Sequence, residues 1–360
     1  MAIPQILVKD AYTPSQDGGI ATITAPTTIT KWTAPTALVM PNVTEIAWDS
    51  AFARCTTLTT VSLPSLETIS GDYVFSDCTG LTTVSLPNVE VYTNATAFRG
   101  CTNVTTLNIQ NCTAITTTAL QKSNYGVISN QSLTVINAPN LRTVTLDAST
   151  GGVYGKTANY NGAFNGCTGL TTISLQSLET ITETVSGGGD SQNVRYNGTF
   201  NGCTALTTLD LPNLASITLS ASSSGNNNIS NGTFNGCTAL LEVYLPALGQ
   251  ISGTVGKNTC GTFNGCTSLV IVYLPVITKI TAFHFGNCTA LEEVTLGNDG
   301  TDIDGREVTY TPTAVTSLAS NTFAGCTQSN LTITLYTEGG AALANQPWGA
   351  TNATVIYEEA

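Results

Sequence analysis

The stretch Phe164-Asn165-Gly166-Cys167-Thr168-Gly169-Leu170 continues through Ile173, Leu175, Leu178 and Ile181, and it recurs along the chain. It returns at Phe200-Asn201-Gly202-Cys203-Thr204-Ala205-Leu206, at Phe234 to Leu240 and at Phe263 to Leu269. Counted from each Cys, a Phe lies three residues before. Apolar residues follow at plus 3, 6, 8, 11 and 14, often with Pro at plus 9. From Cys55 these are Leu58, Val61, Leu63, Leu66 and Ile69, with Pro64; from Cys203 they are Leu206, Leu209, Leu211, Leu214 and Ile217, with Pro212. Nine cysteines fit: Cys55, Cys78, Cys101, Cys167, Cys203, Cys237, Cys266, Cys288 and Cys326, the last two only partly downstream. A tenth copy has Val127 for the Phe and Asn130 for the Cys, yet Leu133, Ile136, Leu141 and Val144 keep register. Self-similarity at this period marks a solenoid, in which each coil buries its apolar face only against its neighbours.

Alternation at plus 6 and plus 8, with Thr and Val between, predicts one main parallel strand per coil, Leu58 to Leu63 and Leu81 to Leu86 in the first two full copies. Pro at plus 9 ends it, because Pro donates no ladder hydrogen bond. Phe-x-x-Cys is expected as a short tight turn of 3-10 type. No segment sustains a helical period, so the fold class is mostly β, a solenoid of about ten coils. We expect one elongated domain, with residues 1–37 as an N-terminal cap, 38–335 as the solenoid and 336–360 as a C-terminal cap in which Trp348 covers the core.

The middle coils are longer. Anchor spacings run 29, 37, 36, 34 and 29 from Cys101 to Cys266, with Asn130 as an anchor. The extra residues fall between the plus 14 position and the next Phe, and they read as outward arms: 182–186 out, a Gly-rich tip at 187–190 and 192–196 back, with similar arms at 145–163, 218–230 and 252–260. Recurrence at one place in consecutive coils predicts a second, stacked-arm sheet.

Composition narrows function. Net charge is −12, with 11 Lys plus Arg scattered along the chain. Nucleic-acid affinity rests on clustered basic residues, so nucleic acid is not an expected partner. No apolar run approaches the ~20 residues of a membrane span, so membrane insertion is not expected. The start, Met1 to Asp10, lacks the basic opening and long apolar core of a secretion signal. The chain then stays in the cytoplasm or leaves without a signal peptide, for example on a virus particle; a trimmed chain also fits. Eleven cysteines would suggest disulfides, but nine share one register and should stack about 4.8 Å apart. A disulfide needs Cβ atoms about 3.8 Å apart, so a ladder of free buried thiols is expected. Cys112 falls at a plus 11 core position, and Cys260 is the one expected near the surface.

The phrase Phe-x-Gly-Cys-Thr-x-Leu-x-x-Val-x-Leu-Pro resembles the BspA-type leucine-rich repeat, over roughly residues 38–335. The ending Pro347 to Thr354 also looks like endings of repeat proteins of Firmicutes and their phages. The resemblance implies a bacterial surface adhesin or a phage tail or other virion protein, hence an extracellular or virion location, and it supplies no catalytic residues.

Chemistry-bearing positions are few. The single His, His284, precedes the anchor Phe285, where packing or solvent exposure is expected, and no acids recur at one coil position to build a sugar-cleaving cleft. No enzyme activity and no cofactor are expected. Asp299, Asp302 and Asp304 make a calcium candidate, weighed against a solvated turn; the EF-hand spacing fails because position twelve is Thr311. Outward positions are plus 4, 5 and 7. Early coils place Thr59, Thr60 and Ser62 there, then Thr82, Thr83 and Ser85. Two later coils place Leu241, Glu242 and Tyr244, then Val270, Ile271 and Tyr273. Exposed apolar patches mark partners, so Leu241, Tyr244, Val270, Ile271 and Tyr273 are a candidate contact for a receptor or a neighbouring subunit, unless the chain itself covers them. Arm residues Tyr154, Tyr160, Asn193, Tyr196, Asn226, Asn227 and Asn228 combine aromatic and adaptable polar contact suited to a glycan or protein receptor, although soluble turns have the same composition.

Overall fold

The structure, a computed structural model, describes residues 12–14, 21–23, 37–39, 43–93, 96–118, 131–147, 158–187, 194–223, 229–253, 259–281, 284–300 and 310–360. Nine of the coils open with the Phe-x-x-Cys turn. The Cys N–H donates to the Phe carbonyl of its own coil, at 3.3 Å for Cys203 to Phe200 and for Cys237 to Phe234. The residue before Cys takes a left-handed conformation, with φ of 71° at Gly166 and 72° at Gly202, which Gly adopts at no steric cost.

Coils are joined at this turn by the thiol. The Sγ of Cys78 donates to the Phe52 carbonyl of the preceding coil at 3.1 Å. Cys101 reaches Phe75 at 3.1 Å, Cys237 reaches Phe200 at 3.4 Å and Cys326 reaches Phe285 at 3.2 Å. The Cys is therefore more than a small apolar filler: it gives a buried carbonyl a second donor, the kind of pairing buried polar groups require. All ten described cysteines are buried and unbridged, as the register argument requires, and Cys112 is among them. The side chain of Cys260 lies outside the described residues.

The Phe rings stack into two columns. Phe52, Phe75 and Phe98 form one, with 5.1 Å between centroids. Phe164, Phe200, Phe234, Phe263, Phe285 and Phe323 form the other, at 5.2–5.7 Å. The columns are separated in sequence by the copy that carries Val127 in place of Phe. One continuous core runs from Leu38 to Ala350 and contains the plus 3, 6, 8, 11 and 14 side chains.

The plus 6 position lies in a short parallel strand in nearly every coil. These strands form a five-stranded sheet (Ala37–Val39, Thr60–Ser62, Thr83–Ser85, Thr106–Asn108, Val135–Asn137), a pair (Thr172–Ser174, Thr208–Asp210) and a second five-stranded sheet (Glu242–Tyr244, Ile271–Leu274, Glu293–Leu296, Thr332–Thr337, Thr354–Glu359). The early strands are three residues long, shorter than the spans Leu58 to Leu63 and Leu81 to Leu86 that alternation suggests. Nor does each coil carry one strand. A second row falls at plus 13 and 14, as at Thr68–Ile69 and Val91–Tyr92, and eight such strands join from Val91–Tyr92 to Ser317–Leu318.

The arms continue this second row. Thr180–Gly187 and Ser216–Ser223 pair in parallel over their full eight residues. The return limbs Ala158–Asn161, Val194–Asn197, Ile229–Asn231 and Thr259–Cys260 form a separate four-stranded parallel sheet, the stacked-arm sheet expected from the insertions.

The C-terminal segment adds one more turn to the solenoid. Thr354–Glu359 pairs in parallel with Thr332–Thr337, and the Trp348 carbonyl accepts the Phe323 N–H at 2.9 Å. Thr322 plays the same part for Phe285 one coil earlier. Trp348 is fully buried, and its indole N–H donates to the Ala344 carbonyl at 2.8 Å. Of the N-terminal segment, Tyr12–Pro14 and Ala21–Ile23 are described as an antiparallel pair, with Ile23 opposite Ile46 in the strand Val43–Ile46.

Candidate recognition surface

The outward face of the first-row strands changes character along the solenoid. In the early coils it is a polar lattice. Thr82 and Thr105 hydroxyls donate to the Thr59 and Thr82 carbonyls at 3.2 Å, and Thr134 continues to Thr105 at 3.1 Å. Asn137 donates to Asn108 at 3.0 Å. These threonines and asparagines bond coil to coil, which gives them a structural task independent of any ligand.

In the later coils the lattice stops. Parallel register sets Glu242, Ile271 and Glu293 side by side in one row, and Tyr244, Tyr273 and Thr295 in another. The Val270 N–H donates to the Leu241 carbonyl and the Glu292 N–H to the Val270 carbonyl, each at 2.9 Å. Leu241 is 53% exposed and Ile271 38%, while Val270 is half-buried. Glu292 and Glu293 are exposed beside them.

The two tyrosines behave differently from the register's expectation. Their rings stack at 5.5 Å and 9°, but Tyr273 is only 4% exposed and Tyr244 is half-buried. The segment that follows Leu296 folds back against Tyr244. Asn298 and Thr313 form an antiparallel bridge, with N···O distances of 3.1 and 2.9 Å. Asn298 is fully buried; its amide donates to the Pro275 carbonyl at 2.6 Å and accepts the Gly300 N–H at 2.7 Å. This anchored segment brings the Tyr310 hydroxyl onto that of Tyr244. The five-residue patch therefore splits into an open part, Leu241, Ile271 and partly Val270, and a tyrosine pair under the chain's own cover.

Among the calcium candidates, Asp299 is exposed, and Asp302 and Asp304 lie outside the described residues. No cluster of three or more metal-ligating side chains occurs among the described residues. Of the arm candidates, Tyr154, Asn193, Asn226, Asn227 and Asn228 lie outside them. Tyr160 and Tyr196 are register partners on adjacent return strands, with side chains that are not described.

His284 is fully buried. Its Nδ1 accepts the Thr262 N–H at 3.2 Å and sits 3.0 Å from the Thr262 hydroxyl. Its Nε2 has no partner among the described residues, and burial pushes the pKa down from 6.5 to about 3. It is a neutral packing residue in the column that holds Thr199, Thr233, Thr262 and Thr322 one residue before each Phe. Sequence reasoning passed over Glu183, which is also fully buried, although Leu146 and Leu219 at the same register position signal an inward side chain.

The family described as BspA type Leucine rich repeat region matches in six copies, over residues 26–148, 157–248 and 196–328. No curated protein matches. Among solved structures, a leucine-rich repeat protein from Bacteroides ovatus is 17% identical, with 96% of this chain and 88% of that one covered and a TM-score of 0.34. The Leucine Rich Repeat protein of T. pallidum is 19% identical, covering 81% and 91%, with a TM-score of 0.32. A leucine rich cell surface protein from Faecalibacterium prausnitzii is 19% identical, covering 79% and 92%, with a TM-score of 0.21. No helix among the described residues is long and apolar enough to cross a membrane. With the repeat matched over most of its length, the chain belongs to the BspA-type leucine-rich repeat family.

Proposed function

We propose that this protein is a non-enzymatic recognition scaffold, displayed at a cell surface or on a virion such as a phage tail, that grips a partner with the later part of its first-row strand face. One observation carries the reading. Two adjacent coils that could have continued the threonine lattice instead expose Leu241 and Ile271, flanked by Glu242, Glu292 and Glu293. Apolar side chains held open on a rigid sheet lose water on contact, and a carboxylate rim selects the partner by charge. A protein receptor with a basic, partly apolar surface suits this combination better than a neutral glycan. The arms then offer a second, polar contact around Tyr160 and Tyr196. A structural role in a larger assembly is the second reading. It is favoured by the strand Thr354–Glu359, which among the described strands pairs with Thr332–Thr337 alone, and which carries Ile356 at 38% exposure.

Saturable binding of the labelled chain to intact cells, followed by flow cytometry, tests the proposal. Loss of binding after protease treatment of the cells is expected. Loss after periodate treatment alone would move the ligand to a glycan. No saturable binding to any cell type, together with concentration-dependent self-association, would favour the assembly reading.

A further inference from the structure

The outgoing limb of the second arm, Thr180–Gly187, continues the inward alternation of the core, with Ile181 and then Glu183 fully buried. Register places Leu146 and Leu219 on either side of Glu183, both buried. A carboxyl thus stands in a leucine column. Its Oε1 accepts the Thr199 N–H at 2.7 Å and the Thr199 hydroxyl at 2.8 Å, while its Oε2 lies 3.0 Å from the Thr233 hydroxyl. Thr199 and Thr233 are themselves fully buried. This arrangement suits a neutral acid: Oε1 takes two donors as a carbonyl oxygen would, and Oε2–H can donate to the Thr233 oxygen, which accepts as readily as it donates.

No counter-charge is in place among the described side chains. The Arg142–Glu179 ion pair lies at the solvent, with side chains 62% and 47% exposed. Asp147 pairs in register with Thr184, at the alternate position of the strand, so it sits on the opposite face from Leu146 and Glu183. His284 is further along the Thr column, bonded to Thr262. Arg195 belongs to the return strand Val194–Asn197, and its side chain lies outside the described residues. A buried carboxylate without a cation is costly, and such a group keeps its proton instead. Burial drives the Glu183 pKa from 4.5 up to about 7, against the opposing pull of the Thr199 and Thr233 bonds.

We propose that Glu183 is a proton-binding site that couples protonation to the closure of the arm-bearing coils. With its proton, the side chain packs as a neutral acid and ties Thr180–Gly187 to the turns at Thr199 and Thr233. When the proton leaves to solvent, a carboxylate without a cation remains buried in the leucine column; the Thr199 and Thr233 donors offset only part of that burial cost, and the closed arrangement is weakened. The sign follows from linkage. The folded pKa lies above the unfolded one, so the contribution is fully present below the unfolded value and is lost as pH rises through the folded value. Arms that present a binding surface would then be firmer in mildly acidic surroundings than in alkaline ones.

Denaturant midpoints of the wild type and Glu183→Gln, measured from about pH 5 to about pH 8.5, test this, because their difference cancels the shared titration of His284 and the surface carboxylates. The wild type should lose stability relative to the variant as pH rises through neutrality. Hydrogen exchange, corrected for intrinsic base catalysis, should show amides of Thr180–Gly187 opening faster at the alkaline end in the wild type only. Should the variant fail to fold, 13C-glutamate NMR of the wild type decides: one carboxyl must titrate near neutrality. Parallel stability profiles, or every glutamate titrating in the ordinary range around 4 to 5, would overturn the proposal.

Discussion

Replacing Phe200 by Ala tests the stacked register at its centre. The ring is fully buried and stacks on Phe164 at 5.3 Å and on Phe234 at 5.4 Å. Truncation removes the ring from two coil interfaces and leaves a cavity that the rigid turns cannot close, since the Phe200 N–H and carbonyl stay bonded to Thr233 and Cys203. Buried Phe-to-Ala changes cost about 3–5 kcal/mol. A matched control is Phe98→Ala, also buried but with one ring partner among the described residues, Phe75 at 5.1 Å. Each aromatic pair adds about 0.5–1.5 kcal/mol beyond area burial, so Phe200→Ala should exceed Phe98→Ala by about that amount. Guanidinium unfolding followed by circular dichroism gives both values, and the slopes report whether coils uncouple from one another. A Phe200→Ala protein within about 1 kcal/mol of wild type would place the ring outside the core and refute the register.

Three further outcomes follow from the same geometry. Denatured without reductant, the chain should titrate eleven thiols, whereas in the native state Cys203, Cys237 and Cys266 should resist thiol reagents: they are buried, and burial pushes all three up, the last to about 12, away from the reactive thiolate. Acid should destabilise the fold through His284. Its folded pKa of about 3 lies below the ordinary 6.5, so this contribution is lost as pH falls through that window, by at most about 1.4 kcal/mol per pH unit; because Glu183 titrates alike in both forms, the stability of His284→Gln relative to wild type should rise as melts are taken from about pH 7 down to about pH 4. On the strand face, Tyr273→Thr should cost about 2 kcal/mol or more because the ring is buried, while Ile271→Thr should stay within about 0.5 kcal/mol of wild type; equal losses would mean the exposed and covered halves of the patch are misassigned.

Much of the architecture was legible from one phrase. Phe, Cys and the leucines recur with constant offsets because every coil solves the same packing problem. The second strand row escaped notice because Thr68–Ile69 or Val91–Tyr92 offers a single inward side chain, too little to show a period. Glu183 was hidden by its residue type, although its position between Leu146 and Leu219 is set by the same alternation that fixes Ile181. The burial of Tyr273 could not be read from register at all. It is a tertiary effect, as is the meeting of Tyr244 with Tyr310, which follows the Asn298 amide bonds to Pro275 and Thr311. Register thus fixes which way a side chain points, and only tertiary contacts decide whether water meets it there.

The most direct measurement of the functional account is equilibrium binding to intact cells by three forms of the chain: wild type, Leu241→Thr with Ile271→Thr, and Thr60→Ala with Thr83→Ala on the early face. Thr suits strands, so the first pair restores the early lattice without disturbing the fold. Loss of a hot-spot contact of about 2 kcal/mol corresponds to roughly 30-fold weaker binding. The account predicts that loss for the Leu241 and Ile271 pair alone, with thermal stability unchanged; superimposable binding curves for all three forms would contradict it.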